Sequence, residues 1–301
     1  MPAAATPTFH HGDFGAADLL EAKAGRTISV CLPARDEEAT VGAIVSTLRR
    51  QLVERIPLVD EVLVVDDRST DTTAQVAADA GARVVSTVDL LRECAPGGGK
   101  GDALWKSLFA STGDLVVWCD ADVRNFGPRF VVGLLGPLLT RPDVVFSKGY
   151  YERPLDGAAV GGGRVTELVA RPLISLLFPQ LASIVQPLAG EYAGRRDVLE
   201  ELPFVEGYGV DLALLVDVAR RHGTRSIAQV DLGVRVHRNR PVDELAPQAM
   251  AILQTALDRA GVERRREWSS LLVRPGLDPV EVGVAERPPL VDIPAYRART
   301  A

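Results

Sequence analysis

The stretch Gly113-Asp114-Leu115-Val116-Val117-Trp118-Cys119-Asp120-Ala121-Asp122 decides the fold prediction. An apolar run that follows a glycine is typical of a buried central strand. Asp120 and Asp122 come at the end of this run with one residue between them, so on extended backbone their side chains point to the same side. In an open α/β sheet, ligands bind in the crevice at the carboxyl ends of the strands. The stretch therefore predicts a central strand that brings two acids to a ligand site.

The two acids need a positive partner, because neighbouring carboxylates repel each other. A divalent metal ion that carries phosphates is a natural partner, since hard cations take oxygen ligands. Asp is also common in turns, so a plain exit from the strand into a turn is the alternative interpretation. Within this stretch alone both interpretations stay open.

Length and composition restrict the class of protein. The chain has 301 residues, 47% of them hydrophobic and 25% charged, which fits a soluble globular protein. The formal net charge of −6 gives no support to a nucleic-acid or anionic-membrane partner. Neither a signal peptide nor a stretch of transmembrane length is recognisable, so we expect no membrane insertion. Three cysteines, an odd number, favour reduced thiols in a cytoplasmic protein.

Predicted strands alternate with predicted helices, which favours an α/β fold with a parallel, doubly wound sheet. Besides the central strand, the predicted strands cover residues 27–33, 61–67, 81–85, 143–151 and 226–231, and residues 232–240 are predicted to be an edge strand that runs into a basic loop. We divide the chain into an N-terminal arm (1–25), two halves of one domain (26–150 and 151–260) and a C-terminal tail (261–301). We expect the tail to be poorly packed or to contact another subunit, and residues 187–194, which have small side chains, to be irregular.

Polar segments follow the early strands. Residues 33–37 and the acids Asp66 and Asp67 lie at predicted strand ends, and Ser69 or Thr70 can cap the next helix. The glycine-rich run 96–101 differs from the phosphate-binding G-x-x-x-x-G-K-[ST] loop in its spacing and in its last residue. A lysine in a mobile glycine loop is still a suitable diphosphate contact, so Lys100 is a candidate; a flexible linker with an incidental lysine is the alternative.

Two later segments can bind anions or a metal ion. Gly163, Arg164 and Thr166 precede an apolar helix and form a plausible anion site, although a flexible loop capped by Thr166 is the alternative. His237 lies in a basic loop with three arginines, and such a loop can close over a metal diphosphate with the histidine as ligand. Asp211 lies in the first turn of a predicted helix, where a role as a dipole partner alone is one interpretation.

Taken in order, these stretches resemble the actinobacterial glucosyl-3-phosphoglycerate synthases over roughly residues 15–260. The motifs that carry the resemblance are Pro33-Ala34-x-x-Glu37, Asp66-x-x-Ser69-Thr70-Asp71, Gly99-Lys100-Gly101, Asp120-Ala121-Asp122, Gly162-Gly163-Arg164-Val165-Thr166-Glu167-Leu168, Gly190-Glu191-Tyr192-Ala193 and His237-Arg238-Asn239-Arg240. The resemblance implies a retaining glycosyltransferase of the GT-A fold. It would move glucose from UDP-glucose, or GDP-glucose, to the 2-hydroxyl of 3-phosphoglycerate with Mg²⁺ or Mn²⁺. It also implies a homodimer.

The resemblance assigns roles to individual residues of this chain. Donor binding falls to Pro33, Ala34, Arg35, Glu37, Ser69, Lys100, Asp120, Arg235 and Asn239. Acceptor binding falls to Gly163, Arg164, Val165, Thr166 and Asn239. Metal binding falls to Asp122 and His237, and catalytic contacts to Asp211, Lys100 and Asp120. In this interpretation residues 26–150 bind the nucleotide sugar and residues 151–260 bind the acceptor.

The chain departs from the family at positions that face the donor. Ala121 replaces the usual Ser, Arg35-Asp36 stands where Leu-Asn is usual, Asp67-Arg68 replaces Ser-Gly, and Asp211 replaces the usual Glu. Mannosyl or other hexosyl transfer, or a different small acidic acceptor, therefore remains an alternative. A non-catalytic nucleotide-sugar-binding module is an alternative of another class. A two-carboxylate hydrolase is disfavoured, because acids two residues apart lie on one side of a substrate instead of flanking a bond.

Overall fold

A computed structural model describes residues 6–153, 163–236, 241–263 and 268–300. The described strands are β1 (Thr8–His10), β2 (Ile28–Ala34), β3 (Glu61–Asp66), β4 (Arg83–Ser86), β5 (Leu115–Trp118), β6 (Phe146–Glu152), β7 (Tyr192–Arg195), β8 (Phe204–Val205), β9 (Ile227–Val234), β10 (Leu271–Arg274), β11 (Leu277–Glu281) and β12 (Glu286–Arg287). The described α-helices are α1 (Ala16–Lys23), α2 (Val41–Leu48), α3 (Thr73–Asp79), α4 (Gly99–Ala110), α5 (Arg129–Thr140), α6 (Arg171–Leu177), α7 (Arg196–Leu199), α8 (Val210–His222), α9 (Val242–Arg259) and α10 (Pro294–Thr300).

An eight-stranded mixed sheet forms the centre, in the order β1-β9-β6-β7-β5-β2-β3-β4. All neighbours in it are parallel except β7, which runs antiparallel to both β5 and β6. Val30 of β2 pairs with Val62 of β3 and with Val117 of β5. This register places the carboxyl ends of the three strands at one edge of the sheet, so the polar segments that follow them meet there.

Two hydrophobic layers cover the faces of the sheet, and the side chains of β5 alternate between them. Val116 and Trp118 pack in the layer that contains α4 and α8, whereas Leu115 and Val117 pack in the layer that contains α2 and α5. A strand buried on both faces needs apolar residues at every position, which is why the central stretch is apolar throughout.

The predicted α/β fold is confirmed, but several predicted elements were wrong in detail. Residues Tyr192–Arg195 form β7 inside the sheet and are not irregular. The two predicted strands over residues 226–240 are a single strand, β9, which ends at Val234 and lies one strand away from the sheet edge. Ser69 and Thr70 do not cap α3; their contacts go to a neighbouring loop, as described below.

The two ends of the chain pack against the sheet domain. Within the predicted arm, β1 pairs in parallel with β9 and α1 buries Leu19. Within the predicted tail, β12 pairs with β8, and Leu290 and Tyr296 are buried, so this part of the tail is well packed. No helix in the described parts of the chain is long and apolar enough to cross a membrane.

Candidate functional site

A cleft of about 550 Å³ opens at the carboxyl ends of β2, β3 and β5. It brings together most of the residues predicted to bind the donor or the metal. Its lining comprises Pro33, Ala34, Arg35, Asp36, Glu37, Asp67, Gly99, Lys100, Ala103, Asp120, Ala121, Asp122 and Tyr208. Ala103 and Tyr208 were not among the residues that the sequence indicated.

Ser69 lies behind one wall of the cleft. Its Oγ accepts a hydrogen bond from the backbone N–H of Asp36 at 3.0 Å, and Asp36 Oδ1 accepts one from the N–H of Thr70 at 2.7 Å. Asp36 has a left-handed backbone (φ 55°), which Asp tolerates better than most residues. These bonds join the loop after β2 to the loop after β3 and fix the wall of the cleft.

Arg235 occupies the place between the two acids of the central stretch. Its Nη2 lies 2.9 Å from Asp120 Oδ2 and 2.7 Å from Asp122 Oδ1. Only 4% of its side chain is exposed. The positive partner that the acid pair requires is thus present within the chain. The guanidinium of Arg235 contacts the two acids, and its predicted contact with the donor stays a prediction.

Glu191 and Tyr151 hold Arg235 from the other side. Arg235 Nε lies 3.3 Å from Oε1 of the fully buried Glu191, and Nη1 donates to the Tyr151 hydroxyl at 2.8 Å. Burial raises the pKa of Glu191, although the charge of Arg235 opposes this shift. Neither residue was predicted to take part in the site. Glu191 was visible only as part of the Gly190-Glu191-Tyr192-Ala193 motif.

Lys100 bridges two acids in the cleft. Its Nζ lies 3.1 Å from Asp120 Oδ1 and 3.3 Å from Asp211 Oδ1. Burial alone would lower the pKa of Lys100, but Asp120 and Asp211 raise it above its usual value. Burial likewise opposes the shift at Asp120, yet Lys100 and Arg235 hold the pKa of its carboxyl well below its usual range. Lys100 and Asp120 are therefore both charged at neutral pH.

The expectation that Lys100 lies in a mobile glycine loop was wrong. Lys100 is in the first turn of α4, which begins at Gly99. Gly99 has a left-handed backbone (φ 76°), which favours glycine. Gly101 lies so close to β8 that a Cβ there would be 1.8 Å from the carbonyl oxygen of Val205. The glycines of this segment therefore permit a tight turn and close packing that hold Lys100 in place.

A second lysine lies in the sheet beside this cluster. Lys148, on β6, is 1% exposed, and its Nζ donates to the carbonyl oxygen of Ala189 at 2.8 Å. The same atom lies 4.5 Å from the centroid of the Tyr192 ring. Burial lowers the pKa of Lys148 to about 8. The sequence signal for this group is a lysine inside an otherwise buried strand, but Lys148 was not among the predicted site residues.

The predicted acceptor segment lies near Arg153, which in turn contacts Tyr151 of the cluster. Gly163 (φ 80°) precedes the helical turn of Arg164 and Val165, and Thr166 is buried at the start of a π-helical turn, Thr166–Ala170. A Cβ at Gly163 would lie 3.8 Å from Arg153 Nη1, and Arg153 Nη2 donates to the Tyr151 hydroxyl at 2.9 Å. None of the four predicted residues lines the cleft as described.

Two predicted residues, His237 and Asn239, lie outside the described residues. Among the described residues, no group of three His, Cys, Asp or Glu side chains could hold a metal ion. Asp122 still fits an open metal site, because its partly exposed carboxylate lines the cleft and uses Oδ1 for Arg235. Mg²⁺ is commonly held by one or two carboxylates together with phosphates of the substrate.

Comparisons with known proteins identify relatives of this chain over most of its length. The sequence model of the family described as "Glycosyl transferase family 2" matches residues 29–202. The glucosyl-3-phosphoglycerate synthase of Mycolicibacterium smegmatis is 49% identical over 92% of this chain and 93% of that protein. The protein of the same name from Petrotoga mobilis is 41% identical over 97% of this chain and 95% of that protein.

Solved structures match over almost the whole chain as well. A crystal structure of glucosyl-3-phosphoglycerate synthase from Mycobacterium tuberculosis, in complex with Mn²⁺, UDP-glucose and phosphoglyceric acid, superposes with a TM-score of 0.87. It is 44% identical and covers 96% of this chain and 98% of that chain. A structure of the same enzyme with Mg²⁺ and UDP gives a TM-score of 0.86 at 44% identity, over 95% of this chain and 99% of that chain.

Proposed function

Because the chain belongs to glycosyl transferase family 2 and, within it, to the glucosyl-3-phosphoglycerate synthases, we propose that it transfers glucose from UDP-glucose to 3-phosphoglycerate. The enzyme is a hexosyltransferase, and the acceptor atom is the 2-hydroxyl oxygen. The observation that carries this proposal is the convergence of Lys100, Asp120, Asp122 and Asp211 at one cleft. A homologue with this fold was crystallised with both substrates.

The donor lies along the cleft with its nucleoside against residues 33–37. Two hydrogen bonds join the loop that carries Asp36 to the loop that carries Ser69, so this end of the cleft is formed before the donor arrives. The diphosphate then reaches Lys100 and the acid pair, where Arg235 and Asn239 assist it. A preformed site of this kind loses little conformational entropy on binding.

Asp122, with His237, holds Mg²⁺ or Mn²⁺. Both ions occur in structures of the mycobacterial homologue. The bound ion supplies charge neutralisation for the departing diphosphate. Asp120 has a different task, since its two oxygens are engaged by Lys100 and Arg235. It fixes these two cations relative to the donor.

The acceptor's phosphate and carboxylate are held by Arg164 and Thr166, with the backbone of Gly163 and Val165 and with Asn239. An arginine fork suits both anionic groups, because it donates two parallel hydrogen bonds. Arg153, which lies beside Gly163, donates to the same Tyr151 hydroxyl as Arg235, and this supports a placement of the segment near the acid pair.

The transfer retains the configuration of the anomeric carbon. The bond from that carbon to the diphosphate oxygen breaks, the bond to the acceptor's 2-oxygen forms on the same face, and the diphosphate takes up the hydroxyl proton. No protein nucleophile is needed. Asp211 fixes the sugar hydroxyls and offsets positive charge at the anomeric carbon, while Lys100 stabilises the negative charge of the leaving group.

One experiment separates the candidate functions. Purified protein is incubated with UDP-glucose, GDP-glucose, UDP-mannose or GDP-mannose, each with 3-phosphoglycerate or another small phosphorylated acid, and products are measured by mass spectrometry. We expect glucosyl-3-phosphoglycerate from UDP-glucose. A mannosyl product as the main one would favour the hexosyl alternative. Tight UDP-glucose binding without product formation from any pair would favour a binding module.

We also propose that the protein is a cytoplasmic homodimer and that residues 26–150 and 151–260 are the donor and acceptor halves of one domain. The hairpin of β10 and β11 exposes Leu271, Val273 and Leu277, and a second subunit could cover these side chains. Sedimentation equilibrium tests the dimer. A monomer at micromolar concentration would contradict it.

A further inference from the structure

Arg287 is a buried arginine in the predicted C-terminal tail (261–301). It is 5% exposed and lies on β12. Its Nε is 2.8 Å from Asp102 Oδ1 and 3.0 Å from Glu206 Oε1, and its Nη1 donates to the carbonyl oxygen of Ala95 at 2.7 Å. Burying a guanidinium costs free energy of desolvation, which is offset only when its partners are held in good geometry. Here the three partners lie on three different segments.

The partners of Arg287 belong to the two elements that carry Lys100 and Asp211. Asp102 is fully buried in the first turn of α4, two residues after Lys100. Glu206 begins the short segment that leads into α8, where Asp211 occupies the first turn. Glu206 Oε2 also accepts a hydrogen bond from the N–H of Gly98 at 3.3 Å. The arginine therefore joins the start of α4 to the segment before α8.

The backbone around Arg287 is packed to suit it. A Cβ at Gly97 would lie 1.6 Å from Arg287 Nη2, so only glycine leaves room for the guanidinium at this place. Gly101 packs closely against Val205, and this contact is next to Arg287, because Val205 pairs with Glu286 in the short β8–β12 ladder. The C-terminal segment, α4 and β8 thus meet within a few residues of Lys100.

We propose that Arg287 is a positioning residue for the transfer reaction, and that it acts by clamping the first turn of α4 to the segment 204–211. Lys100 and Asp211 approach within 3.3 Å across this junction, so the clamp sets their distance. The inference rests on the proposed function, since it requires both residues to contact the donor. Lysine cannot replace the clamp fully, because an ammonium lacks the planar fork that reaches Asp102 and Ala95 together.

The first test needs no activity. Amide hydrogen exchange is measured by mass spectrometry on the unliganded full chain and on its Arg287→Met variant. We expect faster exchange in residues 97–101 and 205–211, with unchanged exchange in β2 and β3. Arg297→Met, which removes an exposed arginine of the same C-terminal segment, is the matched control and should leave all these peptides unchanged. Equal exchange in wild type and Arg287→Met would overturn the clamp even if the protein proves to be a transferase.

The second test uses the reaction. Displacement of a catalytic group by about 1 Å can cost ~10²-fold in rate, so we expect kcat of Arg287→Met to fall by that order, with the KM for 3-phosphoglycerate within twofold of wild type. Arg287→Lys should recover part of the loss. In a protein that already carries Lys100→Met, Arg287→Met should lower kcat by less than a further twofold, because both substitutions act through the same contact. Independent, multiplying losses would show a merely structural role and contradict the proposal.

Gly97→Ala covers the case in which Arg287→Met does not fold. The added methyl group pushes the guanidinium aside while its charge remains. As for Arg287→Met, we expect faster amide exchange at residues 97–101 and 205–211 and a lower kcat with little change in the KM for 3-phosphoglycerate. A fully active Gly97→Ala protein with wild-type exchange at residues 97–101 would count against the clamp. Inactive wild type with altered exchange in Arg287→Met would instead contradict the proposed function and leave the clamp standing.

Discussion

Arg235 Nη2 donates to Asp122 Oδ1 at 2.7 Å, so the acid predicted to bind the metal ion already has a cation of the protein in contact with it. The same nitrogen contacts Asp120 at 2.9 Å. In the nucleotide-free protein this contact reduces the repulsion between the two carboxylates. A divalent ion that arrives without a nucleotide therefore meets an acid pair that is partly neutralised.

Arg235→Met should strengthen the binding of Mn²⁺ to the nucleotide-free protein by at least about tenfold, or ~1.4 kcal/mol, because the resident positive charge is removed. Electron paramagnetic resonance of Mn²⁺ or calorimetry measures the affinity. Arg153→Met is the matched control: Arg153 donates its hydrogen bond to Tyr151, and its charge acts on Asp120 less than that of Arg235, so it should have a smaller effect. Asp122→Ala should abolish the binding. Unchanged or weaker Mn²⁺ binding by Arg235→Met would show that the arginine does not neutralise the pair.

Asp211→Asn should lower kcat by ~10²-fold, a typical size for the loss of one electrostatic contact in a transition state. The buried carboxylate lies 3.3 Å from Lys100, so the change also removes a charge partner of that lysine. Asp217→Asn, on the same helix, is the control: Asp217 pairs with Arg259 at 2.9 Å and should affect the melting temperature but not kcat. An unimpaired Asp211→Asn enzyme would reduce Asp211 to a helix-dipole partner.

Asp211→Glu tests whether the length of this side chain sets the choice of sugar. The longer acid should change the ratio of kcat/KM values for UDP-glucose and UDP-mannose, because it reaches one methylene further towards the sugar. Competition between the two donors in one vessel gives this ratio directly. A constant ratio would place donor selection elsewhere in the cleft.

Arg164→Ala should weaken acceptor use by ~2–5 kcal/mol, the usual cost of removing one partner of a desolvated charge pair. We expect kcat/KM for 3-phosphoglycerate to fall while the dissociation constant for UDP-glucose stays the same by calorimetry. Arg171→Ala is the matched control, since Arg171 pairs with the exposed Glu167 at 3.2 Å in the same helical region. Equal losses of donor and acceptor affinity would contradict the assignment of Arg164.

Lys148 should make the wild-type protein gain stability as the pH rises from about 8 to about 10. Burial lowers its pKa to about 8, against a usual value of about 10.4, so in this window the unfolded chain binds a proton that the folded protein lacks. The gain is at most ~3 kcal/mol. The charged groups that face Lys148 are Asp211, Lys100, Glu191 and Asp120.

Urea unfolding of wild type and of Lys148→Met at pH 7, 8, 9 and 10 isolates this contribution, because the other titrating groups are common to both proteins. The difference in the free energy of unfolding, wild type minus variant, should rise with pH above 8. A difference that is constant across this range would show that Lys148 keeps its ordinary pKa in the folded protein.

The parts of the site that follow strands were predictable from the sequence. Runs such as Leu115–Trp118 are recognisable as strands from their apolar residues. Because parallel strands end at one edge of the sheet, Asp120 and Asp122 are expected to lie close to the segment after Pro33. Neither inference needed knowledge of distant contacts. The assignment of the chain to its family followed from the order of these short motifs.

The contacts that hold the site together were not predictable, because they join positions far apart in the chain. β7 consists of Tyr192, Ala193, Gly194 and Arg195, and this set has neither a clear apolar run nor a strict alternation. Pairing with β5 and β6 makes it a strand. In the same way, nothing local indicated that Arg235 would be buried against Glu191.

The reversed direction of β7 matters for protein engineering. Since β7 starts at the sheet edge where β5 and β6 end, the residues just before it reach the acid pair: a Cβ at Gly190 would lie 2.3 Å from Asp120. The other end of the cleft comes from the loop after β2, on a separate part of the chain. Libraries for a new donor base can therefore be confined to residues 33–37, whereas the segment before β7 has to be kept, because a side chain at Gly190 would displace Asp120 and Glu191 holds Arg235.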